Sequence, residues 1–212
     1  MKKKRQVKIS ERESLSLFRQ SIKGDRCALE LLYKDNYDLL YNYGLKYSPD
    51  EDLVKDCIQD LFVNIFYNSH VKIEHVVSAR SYLLKALRNN LTYKILSKKN
   101  VSSLEDLEFN VPIDENLFDR MFPKGDEETL LAKKLIQVIG ELSSNQKSVL
   151  YLRYVKGFSH NEIAEVMNIN PQSSMNLLNR ALLKLRNVID KTGGDLFSLV
   201  VVFYAILKFL IK

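Results

Sequence analysis

The stretch from Ser159 to Arg186, SHNEIAEVMNINPQSSMNLLNRALLKLR, spells two short helices joined by a tight turn, and no other feature constrains the fold as strongly. Ser159 and Glu162 stand at S-x-x-E capping-box spacing, so the first helix is expected to start near His160. Ile163, Ala164, Val166 and Met167 supply its apolar side, and the small Ala164 lets a second helix cross closely. Asn168-Ile-Asn170 breaks the run. Asn170 suits an N-cap, and Pro171 suits a first helical position because its missing amide proton would be unpaired there anyway. The second helix is expected from about Pro171 to about Ile189.

On that second helix Leu178, Ala181, Leu185 and Ile189 recur at three- and four-residue steps and mark a buried face. Gln172, Ser173, Met175, Asn176, Asn179, Arg180 and Lys184 are left to face outward. Amides, hydroxyls and an arginine can bond to base edges and phosphates, and helices of this type enter the major groove through their N-terminal residues. A plain helical hairpin with a solvated polar face is the alternative. A second capping box at Ser143-Ser-Asn-Gln146 opens another helix, Asn145 to Lys156, with Gly157 as its C-cap.

With seven glycines and four prolines in 212 residues, helices are expected to dominate. Three- and four-residue apolar spacing covers Ser14 to Tyr47, Glu51 to Tyr67, Ala79 to Lys98, Glu127 to Gly140 and Ser144 to Lys156, with no alternating strand pattern. The expected fold is all-α: two helical domains joined by an acidic linker, followed by a hydrophobic C-terminal helix. The boundaries are a basic arm over 1–13, a first domain over 14–100, a linker over 101–128, a helix-turn-helix domain over 129–191 and a tail over 192–212. Ser102-Ser103, Pro112, Pro123 and Gly125 punctuate the linker, which is expected to be disordered in the free protein, although Leu104, Leu107, Phe109, Leu117, Phe118 and Met121 give it apolar docking points.

The net charge of +6 is unevenly spread: +7 over residues 1–100, −7 over 101–130, +5 over 131–191 and +1 over 192–212. Two basic blocks flanking an acidic segment fit two contacts with one polyanion, although a solvated surface has the same composition. Cys27 and Cys57 are isolated, so neither a zinc site nor a disulfide framework is signalled, and both are expected as core thiols in a reducing cytoplasm. The opening Met-Lys-Lys-Lys-Arg leads into Glu11-Arg-Glu13 and does not make a secretory signal. His70, His75 and His160 make no metal spacing, and neither a glycine-rich phosphate loop nor a nucleophile motif appears, so no catalytic residue, metal or cofactor is expected.

The run from Leu142 to Met167 resembles region 4 of the bacterial sigma-70 family of RNA polymerase initiation factors, in the small extracytoplasmic-function subgroup, through L-R-Y-x-x-G-F-S-x-x-E-I-A. Asp56-Cys-Ile-Gln-Asp-Leu-Phe-Val-Asn-Ile-Phe66 is similar to the region 2.2 helix, with Phe66 where the family often has Trp. Ser81 to Lys99 looks like regions 2.3 and 2.4, whose Y-L-x-x-x-x-R-N core is matched by Tyr82, Leu83, Arg88 and Asn89. Together the resemblance spans roughly residues 15 to 190.

The resemblance implies that Asp56, Gln59, Asp60 and Asn64 bind the beta-prime clamp helices of core RNA polymerase. It implies that Tyr82, Arg88, Asn89, Asn90, Tyr93, Lys94 and Lys98 meet the minus-10 promoter element, with a flipped base held against the loop of about Ser69 to Ser78. The outward set on the second helix of the pair would read minus-35. An anti-sigma factor is implied as a regulatory partner, and the acidic linker would lie in the polymerase channel. The chain departs from the family near Tyr93 to Ser97, where the Asp and Arg common in region 2.4 are replaced, leaving Lys94, Lys98 and Lys99 as the cationic set, so the minus-10 base preference does not carry over. It departs again on the reading helix, where Ser174 stands at a usually apolar position and Met175 and Leu177 at commonly basic ones. The minus-35 preference stays open. The competing reading is a stand-alone helix-turn-helix regulator, which has no need of the Asp56 to Phe66 surface.

Leu196 to Lys212 is apolar almost all round but only 17 residues long, with Lys208 inside it, which is borderline for a membrane span. Membrane contact at the inner face of the membrane, packing on the protein's own domains, and burial by an inhibitory partner are the alternatives for this tail. The expected location is otherwise cytoplasmic.

Overall fold

The computed structural model describes residues 9–67, 76–99, 108–110, 134 and 137–192. The basic arm up to residue 8, the Ser69–Ser78 loop up to residue 75, most of the linker and the tail lie outside the described residues. Every regular element among the described residues is helical. The chain divides into two compact units, one built on the first four helices and the other beginning at Glu108.

In the first unit α1 (Glu11–Ile22) starts where Ser10 accepts a hydrogen bond from the Glu13 amide, and α2 (Arg26–Gly44) where the Asp25 carboxylate accepts from the amides of Cys27 and Ala28. The single apolar run expected from Ser14 to Tyr47 is therefore two helices. Gly24, at φ +91°, takes the left-handed conformation that turns the chain between them. Both helices keep the same three- and four-residue spacing, so periodicity alone passed over the break. Next come α3 (Glu51–Tyr67) and α4 (Ala79–Lys99), the latter opened by reciprocal hydrogen bonds of 3.2 Å between the amide of each of Ser78 and Ser81 and the other's hydroxyl. α1 packs on α2, α3 and α4, and α2 also packs on α3 and α4. Phe18, Leu32, Leu40, Val54, Ile58, Leu83 and Leu87 are wholly buried between them.

Of the two thiols only Cys57 is buried; Cys27 is exposed, against the expectation of two core thiols. It sits one residue before Ala28 in the first turn of α2, and the buried face of that helix runs through Ala28, Leu32, Asn36, Leu40 and Tyr43. A one-residue step turns a side chain by about 100°, which takes Cys27 off that face.

In the second unit α5 (Ser144–Leu150) begins with a full capping box between Ser143 and Gln146 and runs into a π-helical turn, Tyr151–Val155. A single helix from Asn145 to Lys156 was expected. Ser148, Val149, Leu150, Tyr151 and Leu152 are all buried, so the chain is covered on every side where α5 passes into the π-helical turn. Gly157, at φ +71°, then reverses the chain, and the Phe158 amide reaches back to the Leu152 carbonyl. Next are α6 (His160–Met167) and α7 (Pro171–Thr192), and α5 packs against α7.

One linker residue is part of this core. Phe109 is 1 % exposed, its ring lies 5.6 Å from that of Tyr151, and its amide donates to Ser144 Oγ at 3.2 Å. The acidic segment is therefore anchored at Phe109, where disorder was expected.

Candidate nucleic-acid and polymerase interfaces

The helix pair is set by local chemistry. The Glu162 carboxylate accepts from both the amide and the hydroxyl of Ser159 at 2.8 Å, and the Glu162 amide donates back to Ser159 Oγ. Asn168 closes α6 at φ +56°, a conformation asparagine tolerates better than most side chains, and Asn170 Oδ1 accepts from the Ser173 amide at 2.7 Å to open α7. Ser174, Leu178, Ala181 and Leu185 are buried. Gln172, Met175, Asn176, Asn179, Arg180 and Lys184 are exposed and Ser173 is half-buried. Gln172 Nε2 donates to Asn176 Oδ1 at 3.2 Å, and Lys184 leans back to within 3.5 Å of Gln146 Oε1.

Buried Ser174 is explained by a partner that sequence reasoning missed: its hydroxyl pairs with His160 Nδ1 at 3.0 Å, joining the start of α6 to α7. Burial, helped by the nearby Arg153 charge, holds the His160 imidazole below its ordinary value of 6.5. The fold thus favours the neutral ring, and the unfolded chain takes up a proton first as the pH falls. Stability from this group is present above about pH 6.5 and is lost as the pH drops towards the folded value. Thermal melts at pH 7.5 and 5.5 should show a larger acid-induced drop for the native chain than for His160→Gln; equal drops would refute the coupling.

In the first unit, Val54, Cys57, Ile58, Leu61, Phe62 and Ile65 of α3 are buried. Asp56, Gln59, Asp60 and Asn64 are exposed together on its other side. On α4, Asn89 and Tyr93 are exposed, Tyr93 by 76 %, whereas Tyr82, Arg88, Asn90 and Lys94 are half-buried; the Lys98 side chain is outside the described residues. The Tyr82 ring packs at a tilt against Phe18, 4.9 Å between centroids, and burial pushes its phenol up, so the ring is committed to packing on α1. Arg88 Nε is buried without a hydrogen-bond partner.

Two side chains that the resemblance assigns to different partners hold each other. Lys94 Nζ is 2.7 Å from Asp60 Oδ2, and this hydrogen bond raises the lysine's pKa. Both are substantially exposed, so the pair contributes no more than about 1 kcal/mol and yields readily to a competing ion. The sequence reading also passed over a groove of about 460 Å³ between α2 and α3, lined by Tyr33, Tyr37, Gln59, Phe62, Val63 and Phe66. Tyr33, Tyr37 and Tyr41, spaced four apart on α2, were the available signal. Among the described residues no cluster of His, Cys, Asp and Glu could hold a metal ion, and no helix is long and apolar enough to cross a membrane.

A capped helix pair with an exposed polar stripe, in a chain that also holds a separate four-helix unit, is a helix-turn-helix arrangement. Residues 132–185 match the family model for sigma-70 region 4. Over 168 residues the chain is 23% identical to the ECF RNA polymerase sigma factor SigM of Bacillus subtilis (strain 168), covering 79% of this chain and 98% of that protein. It is 25% identical over 178 residues to the RNA polymerase sigma factor YlaC of the same organism, covering 80% and 96%. A solved structure of CnrH in complex with the cytosolic domain of CnrY shares the fold, with a TM-score of 0.52 and 18% identity over 84% of this chain and 97% of that one. Over most of its length the chain is thus similar to RNA polymerase sigma factors, one of them of the extracytoplasmic-function group, and residues 132–185 match sigma-70 region 4.

Proposed function

We propose that the protein binds core RNA polymerase through the α3 surface of Asp56, Gln59, Asp60 and Asn64 and delivers it to promoters, acting by binding and not by chemistry of its own. α7 reads the minus-35 element with Gln172, Ser173, Met175, Asn176, Asn179, Arg180 and Lys184. α4 meets the minus-10 element with Arg88, Asn89, Asn90, Tyr93, Lys94 and Lys98, while Tyr82 braces that helix against α1. The observation that carries this reading is the α3 surface: four polar side chains stand exposed together over a wholly apolar buried face. A regulator that acts without polymerase has no use for it. Two carboxylates in that set suit a basic partner helix.

Transcription from a promoter library by core polymerase, with and without the protein, tests the reading. Initiation should depend on the protein and fall at least tenfold with Asp56→Ala/Gln59→Ala, the loss expected from about 1.4 kcal/mol of binding. DNA binding with no polymerase dependence would favour the stand-alone regulator instead.

An anti-sigma partner is part of the proposal, supported by the complex of CnrH with the cytosolic domain of CnrY. The apolar segment Leu196–Lys212, outside the described residues, is a candidate for restraining the factor until a signal arrives. Deleting it should raise basal transcription, and unchanged transcription and solubility would refute that role.

A further inference from the structure

Lys94 belongs to the surface proposed for the minus-10 strand, yet in the free chain its ammonium already has an anion. Its Nζ lies 2.7 Å from Asp60 Oδ2, where α4 packs on α3. Cys57 and Leu61 flank Asp60 on α3 and Leu91 precedes Lys94 by one turn on α4; all three are buried, so the backbones that carry the pair are held by the core. The hydrogen bond from Lys94 to Asp60 keeps the lysine above its ordinary pKa, and the Asp56 carboxylate adds to that field. Lys94 also stands where the chain departs from region 2.4, so the pairing is read from the structure alone.

To a lysine, a carboxylate and a phosphate offer the same thing, an anionic oxygen within hydrogen-bond distance. A nucleic acid that takes Lys94 must therefore displace Asp60, and swapping one anion for another gains little. Asp60 is in turn one of the four exposed polar groups on which polymerase is proposed to dock, and its side chain is 54% exposed, open to a cation from outside. One substitution then has opposite effects on the two partners: losing this carboxylate weakens the polymerase surface and strengthens the nucleic-acid surface.

We infer that Asp60 masks Lys94 in the free chain, and that a cationic group of the docking polymerase draws the carboxylate away and leaves the ammonium to a nucleic-acid phosphate. The inference rests on the function proposed above and adds an order to it, polymerase first and the strand second. Because the pair is partly exposed the mask is a bias in affinity of up to about fivefold, not an all-or-none switch.

The test is fluorescence anisotropy of a labelled DNA single strand of random sequence, titrated over a series of salt concentrations with the full chain, Asp60→Asn, Lys94→Gln and the two combined. Asp60→Asn should bind about two- to fivefold tighter than the native chain, and its log–log salt dependence should steepen by about 0.7, the signature of one further phosphate contact on a single strand. Most of that gain should disappear in the Lys94→Gln background. An equal gain with or without Lys94 would assign it to net charge and overturn the inference, as would no gain, or no binding by Asp60→Asn at the lowest salt. With saturating core polymerase the difference between the native chain and Asp60→Asn should vanish; a gain that persists there would show that polymerase leaves the pair closed, and the release step would fall. Asp56→Ala/Gln59→Ala keeps the ion pair and so separates the two ideas. If it abolishes initiation while Asp60→Asn gains nothing, the inference falls alone; if initiation never needs the protein, the proposed function falls and the release step with it.

Discussion

Replacing Phe109 by Ala is expected to destabilise the helix-turn-helix unit by about 3–5 kcal/mol, the cost of removing a buried aromatic ring. The ring is 1 % exposed and packs edge-on to Tyr151, itself 1 % exposed, so its loss leaves a void beside the π-helical turn that the surrounding side chains fill only in part. The Phe109 amide on Ser144 Oγ adds a polar tie at the first residue of α5, so the backbone has a fixed place as well as the ring. Hydrogen exchange followed by mass spectrometry checks this unit by unit: protection should fall over α5 to α7 and hold over α1 to α4. Uniform exchange across both units, or an unchanged melt, would show that Phe109 is not a core residue. An acidic linker lacking such an anchor would tolerate the change within a few tenths of a kcal/mol, as surface substitutions do.

Gly44→Ala should destabilise the first unit by about 1–3 kcal/mol, although Gly→Ala near a helix end ordinarily stabilises by about 0.4–1 kcal/mol. A Cβ on Gly44 would stand 2.5 Å from Val54 Cγ1 and 3.3 Å from Cγ2, and Val54 is wholly buried on α3. Neither partner gives way easily, since Val is β-branched with few rotamers and the Gly44 carbonyl accepts from the amides of Tyr47 and Ser48. A double-mutant cycle with Val54→Ala separates this clash from general damage: the pair should be more stable than the sum of the single changes predicts, by 1 kcal/mol or more. Additive single effects, or a Gly44→Ala chain that melts higher than the native one, would refute the close approach of α2 to α3.

How much of this was legible in the sequence depended on how local the cause was. The caps of α6 and α7 act within three or four residues, so Ser159, Glu162, Asn170 and Pro171 announced both helix starts, and the phase of Leu178, Ala181 and Leu185 divided α7 into buried and exposed faces. The same held for α3, where one apolar face implied the opposite polar one. The break at Gly24 was missed because apolar spacing ran on across it, and the π-helical turn because the apolar run of α5 continues into it without a break. The groove between α2 and α3 was missed because its aromatic residues come from two helices, each unremarkable alone.

Other features had no local signal at all. Lys94 and Asp60 are 34 residues apart and Ser174 and His160 are 14 apart, so neither pairing could be read from spacing. Phe109 stood in a segment whose charge argued for solvent, and an aromatic ring in such a run docks only if a cavity elsewhere accepts it. Composition, helical period and capping chemistry, all short-range, settled that the described residues are helical, where α7 begins and which residues it exposes. Packing between distant segments decided which of those residues are already engaged: Lys94 with Asp60, Tyr82 with Phe18, Ser174 with His160. A hydrogen bond or ring contact between remote positions exists only once the backbone has brought them within a few ångströms, and no period in the sequence encodes that distance.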